Sequence, residues 1–517
     1  MFSIRYGICL AIAFCLVALR ASAQEAPVNV LLIYTDEQRI DALGAMGNAD
    51  IDTPHIDALA ADGVLYRNSF CTWPVCTPSR LSILSGQYVH QHGGRSNRST
   101  LRPGTPTFAS ILREAGYATT AVGKMHLTPA YQDVGFDTMI LAEQNGGGRN
   151  IDDYHRYLKD RGLINAIDLI DQERPFRQRA SDEYWETFGA KRSDLPDEHH
   201  ITSWVGDRAI ENIAGWEADA GNLLMVGFLK PHHPFDPPAP WDERYDPEDI
   251  AVLPGWTEAV PTHDSVRARG YFDNASLTQE DLRRVTAFYY ATITHLDHHV
   301  GRMVAELKRR SLYDNTLIVY TSDHGEYLGF HHMILKGNHT YDPLAKVPLV
   351  IKYPKQRHAG AVSDDLVNAL DVTATILQET GRQSAPSMRG SSLGGGQPGL
   401  DDPRGVIVTQ DRRSLMIRSH TTKLIADQDP ARSLFFDLQA DPLEMDNRIF
   451  DPAYAAEIAR LRAVGLDWFL AETYQPVYVD ESVPLTPSPN VPDDLERAER
   501  EMREYFEKML APLLEDE

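Results

Sequence analysis

The chain has 517 residues, of which 42% are hydrophobic and 24% are charged, as is typical of a folded globular protein. A chain of this length is too long for a single hydrophobic core, and it predicts two domains. The formal net charge of −24 argues against a nucleic-acid binder, because a phosphate backbone is held by a basic surface. An anionic ligand would need a local cationic pocket or a metal ion.

The first 23 residues have the pattern of a secretory signal peptide. Arg5 supplies a positive charge, an apolar stretch runs over residues 7–19, and residues 21–23 (Ala-Ser-Ala) offer a cleavage site. The apolar stretch is too short to span a bilayer, and no later segment is apolar enough. We therefore expect a secreted or periplasmic protein whose mature chain begins near Gln24 and has no membrane span.

Signal cleavage would leave only two of the four cysteines, Cys71 and Cys76. Two cysteines in a secreted protein of this size do not form a disulfide scaffold. A bridge between these two is the alternative to free thiols, but it would close a tight loop. We expect no disulfide.

Four apolar runs of strand length each end on polar residues; they lie at 28–35, 118–122, 223–229 and 316–322. Continuous runs of Val, Ile and Leu suit parallel strands that are buried on both faces. Helical patterns lie between these runs, at 57–62, 108–115 and 282–309. The alternation predicts an α/β fold with a large mixed, mostly parallel sheet flanked by helices.

Polar residues follow each of the four predicted strands. They are Asp36 and Glu37, Lys124 and His126, His232, and Asp323 and His324. Ligands of open α/β sheets bind beyond the carboxyl ends of the strands. We therefore expect these side chains to share one site, whereas the alternative is that they are ordinary turn residues.

The pattern of the sequence changes after about residue 400. Short β-rich runs at 406–409, 414–417, 422–425 and 434–438 predict a small antiparallel sheet. The segment 386–402 is rich in Gly, Ser and Pro and predicts a linker. We therefore expect a catalytic α/β domain over 24–400 and a smaller C-terminal α+β subdomain over 401–517, with a charged terminal helix from about 493 to 510.

Residues 76–86 (CTPSRLSILSG) carry the most specific local pattern of the chain. Pro78 suits the first turn of a helix that runs through Leu84. Cys76 then lies at a helix N-terminus, where unpaired amides and the helix dipole favour negative charge, and Arg80 lies one turn further on the same side. The string Cys-x-Pro-Ser-Arg rarely occurs by chance, and a buried structural cysteine is the alternative.

Asp36, Glu37, Asp323 and His324 form a candidate site for a hard divalent cation. Carboxylate oxygens suit Ca²⁺ or Mg²⁺, and an imidazole is tolerated. Three carboxylates would repel one another in a dry crevice unless a cation neutralised them. Zinc is disfavoured because the set is dominated by carboxylates and has one histidine only.

These motifs together resemble the type I sulfatases of the alkaline phosphatase superfamily, across nearly all of residues 28–450. The segments that carry the resemblance are 35–39 (TDEQR), 53–57 (TPHID), 76–80 (CTPSR), 123–126 (GKMH), 231–235 (PHHPF), 322–325 (SDHG), 336–337 (KG), 434–438 (LFFDL) and 441–444 (DPLE). The resemblance implies a sulfuric ester hydrolase that removes sulfate from an alcohol or sugar ester. Its substrate would be a sulfated small molecule or glycan.

The resemblance also implies a modified nucleophile and a metal. Cys76 would be oxidised to Cα-formylglycine by a formylglycine-generating maturation system, and the aldehyde hydrate would attack sulfur. Asp36, Glu37, Asp323 and His324, together with the hydrated residue 76, would bind Ca²⁺, with Mg²⁺ as the alternative.

Roles for the remaining site residues follow from the same resemblance. Arg80 would maintain the charge around the diol, and Lys124 and Lys336 would bind the sulfate oxygens. His232 would protonate the leaving alcohol. His126 would take a proton from the second hydroxyl of the diol as sulfate departs.

Three positions leave alternatives open. Glu37 stands where the family more often has Asp, and Gln38 competes for that place in the metal site. His232 is preferred to His233 because Pro-His-x-Pro-Phe is the family spacing. His200 is a candidate substrate contact beyond the sulfate, and the insert at 145–203 is expected to form the pocket rim.

Two other functions compete with sulfate hydrolysis. The first is a phosphonate monoester or phosphodiester hydrolase of the same superfamily, against which the Lys124-x-His126 pair favours sulfate. The second is a catalytically silent protein that binds sulfated glycans, although such a protein would be expected to lose the metal carboxylates or the nucleophile.

Overall fold

The computed structural model describes residues 26–265, 270–393, 405–470, 484–486 and 488–515. The predicted signal peptide (1–23) and the predicted domain boundary at residue 400 lie outside the described residues. Within the described ranges, no helix is both long and apolar enough to cross a membrane.

An eight-stranded sheet forms the centre of the fold. Its strands are β1 (Asn29–Asp36), β2 (Val64–Phe70), β3 (Ala118–Gly123), β4 (Thr138–Leu141), β5 (Asn222–Pro231), β6 (Thr316–Ser322), β7 (Leu349–Lys352) and β8 (Ala361–Asn368). They lie in the order β4-β3-β5-β1-β6-β7-β2-β8. Only β7 runs antiparallel to its neighbours; the other pairs are parallel. The predicted mixed, mostly parallel sheet is confirmed.

Helices cover both faces of this sheet. The longer ones are α1 (Pro54–Ala61), α2 (Cys76–Ser85), α3 (Phe108–Glu114), α4 (Asp153–Asp160), α5 (Ala166–Gln172), α6 (Ile201–Ala214), α7 (Gln279–Arg309), α8 (Ala369–Glu379), α9 (Ala455–Leu470) and α10 (Leu495–Glu515). Single-turn helices lie at Val89–His92, Gly146–Arg149, Arg174–Arg177, Asp182–Glu186, Thr262–Ser265 and Asp342–Ala345.

The alternation of side chains along β1 shows how the two layers pack. Val30 and Leu32 belong to a core that includes residues of α3 and α8, whereas Leu31 and Ile33 belong to a core with residues of α1, α6 and α7. Successive residues of a strand point to opposite faces. A run that is apolar at every position is therefore buried on both sides, as the sequence predicted.

The second sheet is antiparallel and consists of β9 (Ile407–Gln410), β10 (Ser414–Arg418), β11 (Thr422–Asp427) and β12 (Leu434–Asp437). This confirms the predicted C-terminal sheet. The Gln410 amide donates to the Thr72 carbonyl at 2.8 Å, and Thr409 Oγ1 donates to the Cys71 carbonyl at 2.7 Å. The C-terminal sheet therefore holds the segment that leads into Cys76.

Candidate active site

The site lies at the carboxyl edge of four adjacent strands, β3, β5, β1 and β6. Asp36 ends β1, Lys124 follows β3, His232 follows β5 and Asp323 follows β6. Because these strands are parallel neighbours, their carboxyl ends meet at one edge of the sheet. All four of these side chains are buried there.

Cys76 begins α2 and is fully buried. Its Sγ lies 3.5 Å from Asp36 Oδ1 and 3.4 Å from His324 Nε2. Cys71 and Cys76 are both free thiols, so the alternative disulfide is not formed. Burial and the negative charge of Asp36 raise the pKa of the Cys76 thiol to about 12. Since the thiolate is the reactive form, the unmodified thiol is a poor nucleophile at neutral pH.

Four side chains converge on a space that suits a cation. One ligand atom from each of Asp36, Cys76, Asp323 and His324 lies within 4.8 Å of the others, and all four residues are buried. His324 Nε2 is 3.8 Å from Asp323 Oδ1 and 4.0 Å from Asp36 Oδ1. Two buried carboxylates beside one imidazole fit a hard divalent cation such as Ca²⁺ or Mg²⁺ better than zinc.

Arg80 lies behind this group and is fully buried. Its Nε donates to Asp323 Oδ2 at 2.9 Å, its Nη2 to Asp36 Oδ2 at 3.3 Å, and its Nη1 to the Lys124 carbonyl at 2.8 Å. Burial would raise the pKa of Asp36, but the cations of Lys124 and Arg80 outweigh it and hold that pKa below its usual range. Asp36 is therefore ionised.

Glu37 has a left-handed backbone with φ of 64° and belongs to a neighbouring group with His232 and His233. Its Oε2 lies 2.7 Å from Lys336 Nζ and 3.2 Å from His232 Nε2. Burial raises the pKa of Glu37 to about 7, although Lys336 opposes the shift. The carboxylate thus lies beside the Asp36–Asp323 group rather than within it.

The competing residue, Gln38, is directed away from the site. Its Oε1 accepts hydrogen bonds from Thr35 Oγ1 and the Tyr320 hydroxyl, and its Nε2 donates to the Ala42 carbonyl. The side chain is therefore engaged in the packing beneath β1. Of the two residues, Glu37 is the one that belongs to a group of candidate metal ligands among the described residues.

Two lysines and a histidine line the side of the site next to Glu37. Lys124 Nζ contacts Asp36 and Gln144, and Lys336 Nζ lies 3.0 Å from His232 Nε2. His232 Nδ1 faces the His233 carbonyl at 2.6 Å, so this nitrogen is the donor and Nε2 faces the site. Burial and the charge of Lys336 lower the pKa of His232 well below its usual value.

His126 lies across the N-terminus of α2 and also has a left-handed backbone, with φ of 56°. Its amide donates to both carboxylate oxygens of Glu143 at 3.0 Å, and its carbonyl accepts from Thr77 Oγ1 at 2.9 Å. The ring Nδ1 is buried and has no hydrogen-bond partner in the described structure. Burial and the charge of Lys124 lower the pKa of His126 well below its usual value.

Gln144, Glu143 and Gln172 are site residues that the sequence analysis missed. Gln144 Nε2 lies 2.9 Å from His232 Nε2 and donates to Gln172 Oε1 at 2.6 Å, while its Oε1 contacts Lys124. Glu143 and Gln144 follow β4, a strand of four residues. The strand-end argument would have found them if β4 had been recognised.

His200, the candidate substrate contact, is buried at the N-terminus of α6. Its Nδ1 accepts from the Thr202 amide at 3.3 Å, and its Nε2 lies 4.0 Å from Asp236 Oδ2. Neither partner belongs to the groups around Cys76. A direct contact between His200 and substrate remains a prediction.

A cleft of about 660 Å³ opens beside this site. Asn97, whose Oδ1 accepts from the Thr77 amide at 3.1 Å at the start of α2, lines it together with Gly337, the residue after Lys336. Trp73 and the β9–β10 turn (residues 411–413) form another part of its wall. The cleft therefore opens next to the start of α2 and next to Lys336.

Comparison with known proteins agrees with this geometry. The family model described as Sulfatase matches residues 28–381. The chain is 28% identical to an arylsulfatase of Clostridium perfringens, covering 84% of this chain and 93% of that protein. It is 29% identical to the multifunctional alkaline phosphatase superfamily protein PehA of Trinickia caryophylli, covering 86% and 95% of the two chains.

Among solved structures, the phosphonate monoester hydrolase of Silicibacter pomeroyi has a TM-score of 0.71 and 26% identity, covering 87% of this chain and 96% of its own. The chain belongs to the sulfatase family, and the predicted superfamily is confirmed. Its enzyme class is that of the sulfuric ester hydrolases, as the resemblance implied.

Proposed function

We propose that this chain removes sulfate from an alcohol or sugar ester, with a Cα-formylglycine made from Cys76 as the nucleophile and a bound divalent cation, Ca²⁺ or Mg²⁺. The observation that carries the proposal is the convergence of Cys76 with Asp36, Asp323 and His324 at the N-terminus of α2. The arylsulfatase of Clostridium perfringens supports sulfate as the group removed.

Asp36, Asp323 and His324 would hold the cation, and Glu37 would join them by turning its carboxylate from Lys336. A bound Ca²⁺ or Mg²⁺ would supply Lewis-acid stabilisation of charge on the sulfate oxygens. Four acidic or imidazole groups in one buried region accept a cation readily, because it relieves the repulsion between the carboxylates.

Lys124 and Lys336 approach the site from two sides and would hold the sulfate oxygens. Each ammonium is a compact charge with three donors, which suits a tetrahedral anion without imposing one orientation. Arg80, buried against two carboxylates, would fix their position rather than touch substrate. The amides at the start of α2 would add further stabilisation of negative charge.

His232 and His126 would move the protons. The ring proton of His232 lies on Nδ1, so Nε2 would first take a proton from Lys336, whose Nζ is 3.0 Å away, and would then pass it to the oxygen of the leaving alcohol. Among the described residues, none pairs with the buried Nδ1 of His126, and the backbone of His126 lies against Thr77, the residue after the nucleophile. That nitrogen would accept the proton of the second hydroxyl on the hydrated residue 76.

The proposal extends to substrate and location. The signal-peptide pattern over residues 1–23 supports secretion or a periplasmic location, where a sulfated carbohydrate is the expected substrate. Maturation of Cys76 would require a formylglycine-generating system as a partner, and that system would supply the oxidant.

The test is to produce the chain with and without a formylglycine-generating system. Mass spectrometry of the peptide that contains residue 76 should show loss of the thiol only in the matured sample. Only that sample should hydrolyse 4-nitrophenyl sulfate, and Cys76→Ala should remove turnover while the far-ultraviolet circular dichroism stays unchanged. A verified aldehyde that binds sulfated sugars without turnover would contradict the proposal and favour the glycan-binding alternative.

A phosphonate monoester hydrolase is the second candidate function, and one observation favours it. The Silicibacter pomeroyi hydrolase matches nearly its whole length with a TM-score of 0.71. The two functions are separated by kcat/KM for 4-nitrophenyl sulfate against 4-nitrophenyl methylphosphonate in the same matured preparation. Faster cleavage of the phosphonate would replace the first proposal with the second.

A further inference from the structure

The cleft beside the active site continues as a groove over the C-terminal sheet. A second cavity of about 710 Å³ shares Trp73 and the turn 411–413 with the first and extends to Phe469 on α9. We call the two cavities together the arginine groove. The volume of either cavity exceeds what a single sulfate and one small alcohol would fill.

Arginines dominate the charge of this groove. The five that line it are Arg95, Arg412, Arg413, Arg432 and Arg462. The acidic side chains in the same lining are Asp411 and Asp427. A surplus of positive charge here contrasts with the net charge of −24 of the whole chain. Such a local reversal of sign favours an anionic ligand.

Arg412 and Arg413 are the arginines best placed to contact a ligand. Both are exposed, and within the described residues neither side chain forms an ion pair. Arg432 differs, because its Nε lies 3.4 Å from Asp429 Oδ2. The guanidinium fork matches sulfate and carboxylate oxygens in a bidentate geometry.

The turn that carries these two arginines is fixed relative to the nucleophile. Gln410, at the end of β9, donates from its amide to the Thr72 carbonyl, and Thr72 lies four residues before Cys76. The side-chain Oε1 of Gln410 also accepts from the His90 amide at 3.0 Å. The turn that carries Arg412 and Arg413 is therefore held in place relative to residue 76, and a rigid arrangement of this kind suits a ligand whose anionic groups repeat at a fixed spacing.

The far end of the groove offers an apolar surface. Phe469 is 44% exposed and lines the second cavity beside Leu466. A sugar ring presents an apolar face that packs on such a side chain, while its charged substituents reach the arginines. This combination suits a carbohydrate chain better than an inorganic anion.

We infer that the arginine groove binds a polyanionic carbohydrate, so that the substrate is an oligosaccharide with anionic groups in addition to the sulfate that is removed. Arg412 and Arg413 are then specificity residues for those additional groups. The assignment of the scissile sulfate rests on the proposed function, whereas binding in the groove does not require turnover.

The experiment compares fully sulfated maltotriose with maltotriose that carries one sulfate. Calorimetry measures the affinity of the full-length protein for each probe, and competition with 4-nitrophenyl sulfate measures inhibition. The variant Arg412→Gln/Arg413→Gln is compared with Arg309→Gln/Arg497→Gln, which loses the same charge at two exposed helix positions. We expect the first variant to lose about tenfold or more of the preference for the fully sulfated probe, since two charge-assisted hydrogen bonds are removed.

The control variant should keep the preference for the fully sulfated probe and should hydrolyse 4-nitrophenyl sulfate within about twofold of the parent. The preference of the parent protein for the fully sulfated probe should fall as the salt concentration rises. This fall should be steeper than in Arg412→Gln/Arg413→Gln. Equal preference in the two variants overturns the inference. If the parent protein prefers the fully sulfated probe but does not hydrolyse 4-nitrophenyl sulfate after maturation, the proposed function is refuted, whereas the inference about binding in the arginine groove stands.

Discussion

Replacing Arg80 by Met tests whether the buried charges at the site depend on one another. Arg80 makes two hydrogen bonds to carboxylates, at 2.9 and 3.3 Å, and all three side chains are 0% exposed. Removal of one partner from a buried ion pair costs about 3–5 kcal/mol, because it leaves an uncompensated charge. In the presence of EDTA, Arg80→Met should therefore lower the free energy of unfolding in urea by about that amount.

Calcium should reverse part of this loss. A ligand present at 100 times its Kd stabilises a folded protein by about 2.7 kcal/mol. Without Arg80, no guanidinium competes with the cation for the carboxylates of Asp36 and Asp323. The stabilisation by Ca²⁺ should therefore be larger in Arg80→Met than in the parent.

The matched control is Arg418→Met, in the C-terminal sheet. Arg418 also makes two hydrogen bonds to a carboxylate, that of Asp342, and one to a backbone carbonyl. Calcium should stabilise this variant no more than the parent. An Arg80→Met protein that loses less than about 1 kcal/mol in EDTA, or gains no more from Ca²⁺ than the control, would refute the reasoning.

Two further predictions concern proton transfer and the backbone. His232→Ala should lower kcat by about 10²–10⁴ for an alkyl sulfate but far less for 4-nitrophenyl sulfate, whose phenolate leaves without a proton; equal losses in steady-state assays would exclude His232 as the acid. Gly123→Ala should destabilise the fold by about 1–3 kcal/mol more than Gly116→Ala in urea unfolding. Both glycines have positive φ, but a Cβ at Gly123 would lie 2.1 Å from the Gly227 carbonyl oxygen, whereas nothing lies within 4 Å at Gly116.

The strands that were predicted from the sequence are those buried on both faces. β1, β5 and β6 are apolar along nearly their whole length, so composition alone indicates them. β4 and β7 have four residues each, and β2 carries Arg67 and Asn68 in its middle, so these strands left no clear pattern. Their pairing is decided by tertiary contacts, which local sequence does not encode.

The sequence predicted those residues of the candidate site that lie at the ends of strands. Asp36, Lys124, His232 and Asp323 were found in this way, because each comes directly after a recognised strand. Gln144 was missed with β4, and Gln172 lies on α5, inside an insert whose helices could not be predicted. The Glu37 carboxylate points toward Lys336 because the backbone of Glu37 is left-handed, and no local sequence pattern predicts that conformation.

The hydrogen bonds between β9 and the segment before Cys76 set an order of events during synthesis. In the finished fold the residue 76 side chain is sealed from solvent, so the proposed oxidation must precede closure of the structure around it. A ribosome that adds about 5–20 residues per second delivers β9 roughly tens of seconds after residue 76. Under the proposed mechanism, the late arrival of the C-terminal sheet would leave the cysteine accessible to a modifying enzyme for a limited time, and a chain that folded first would stay inactive.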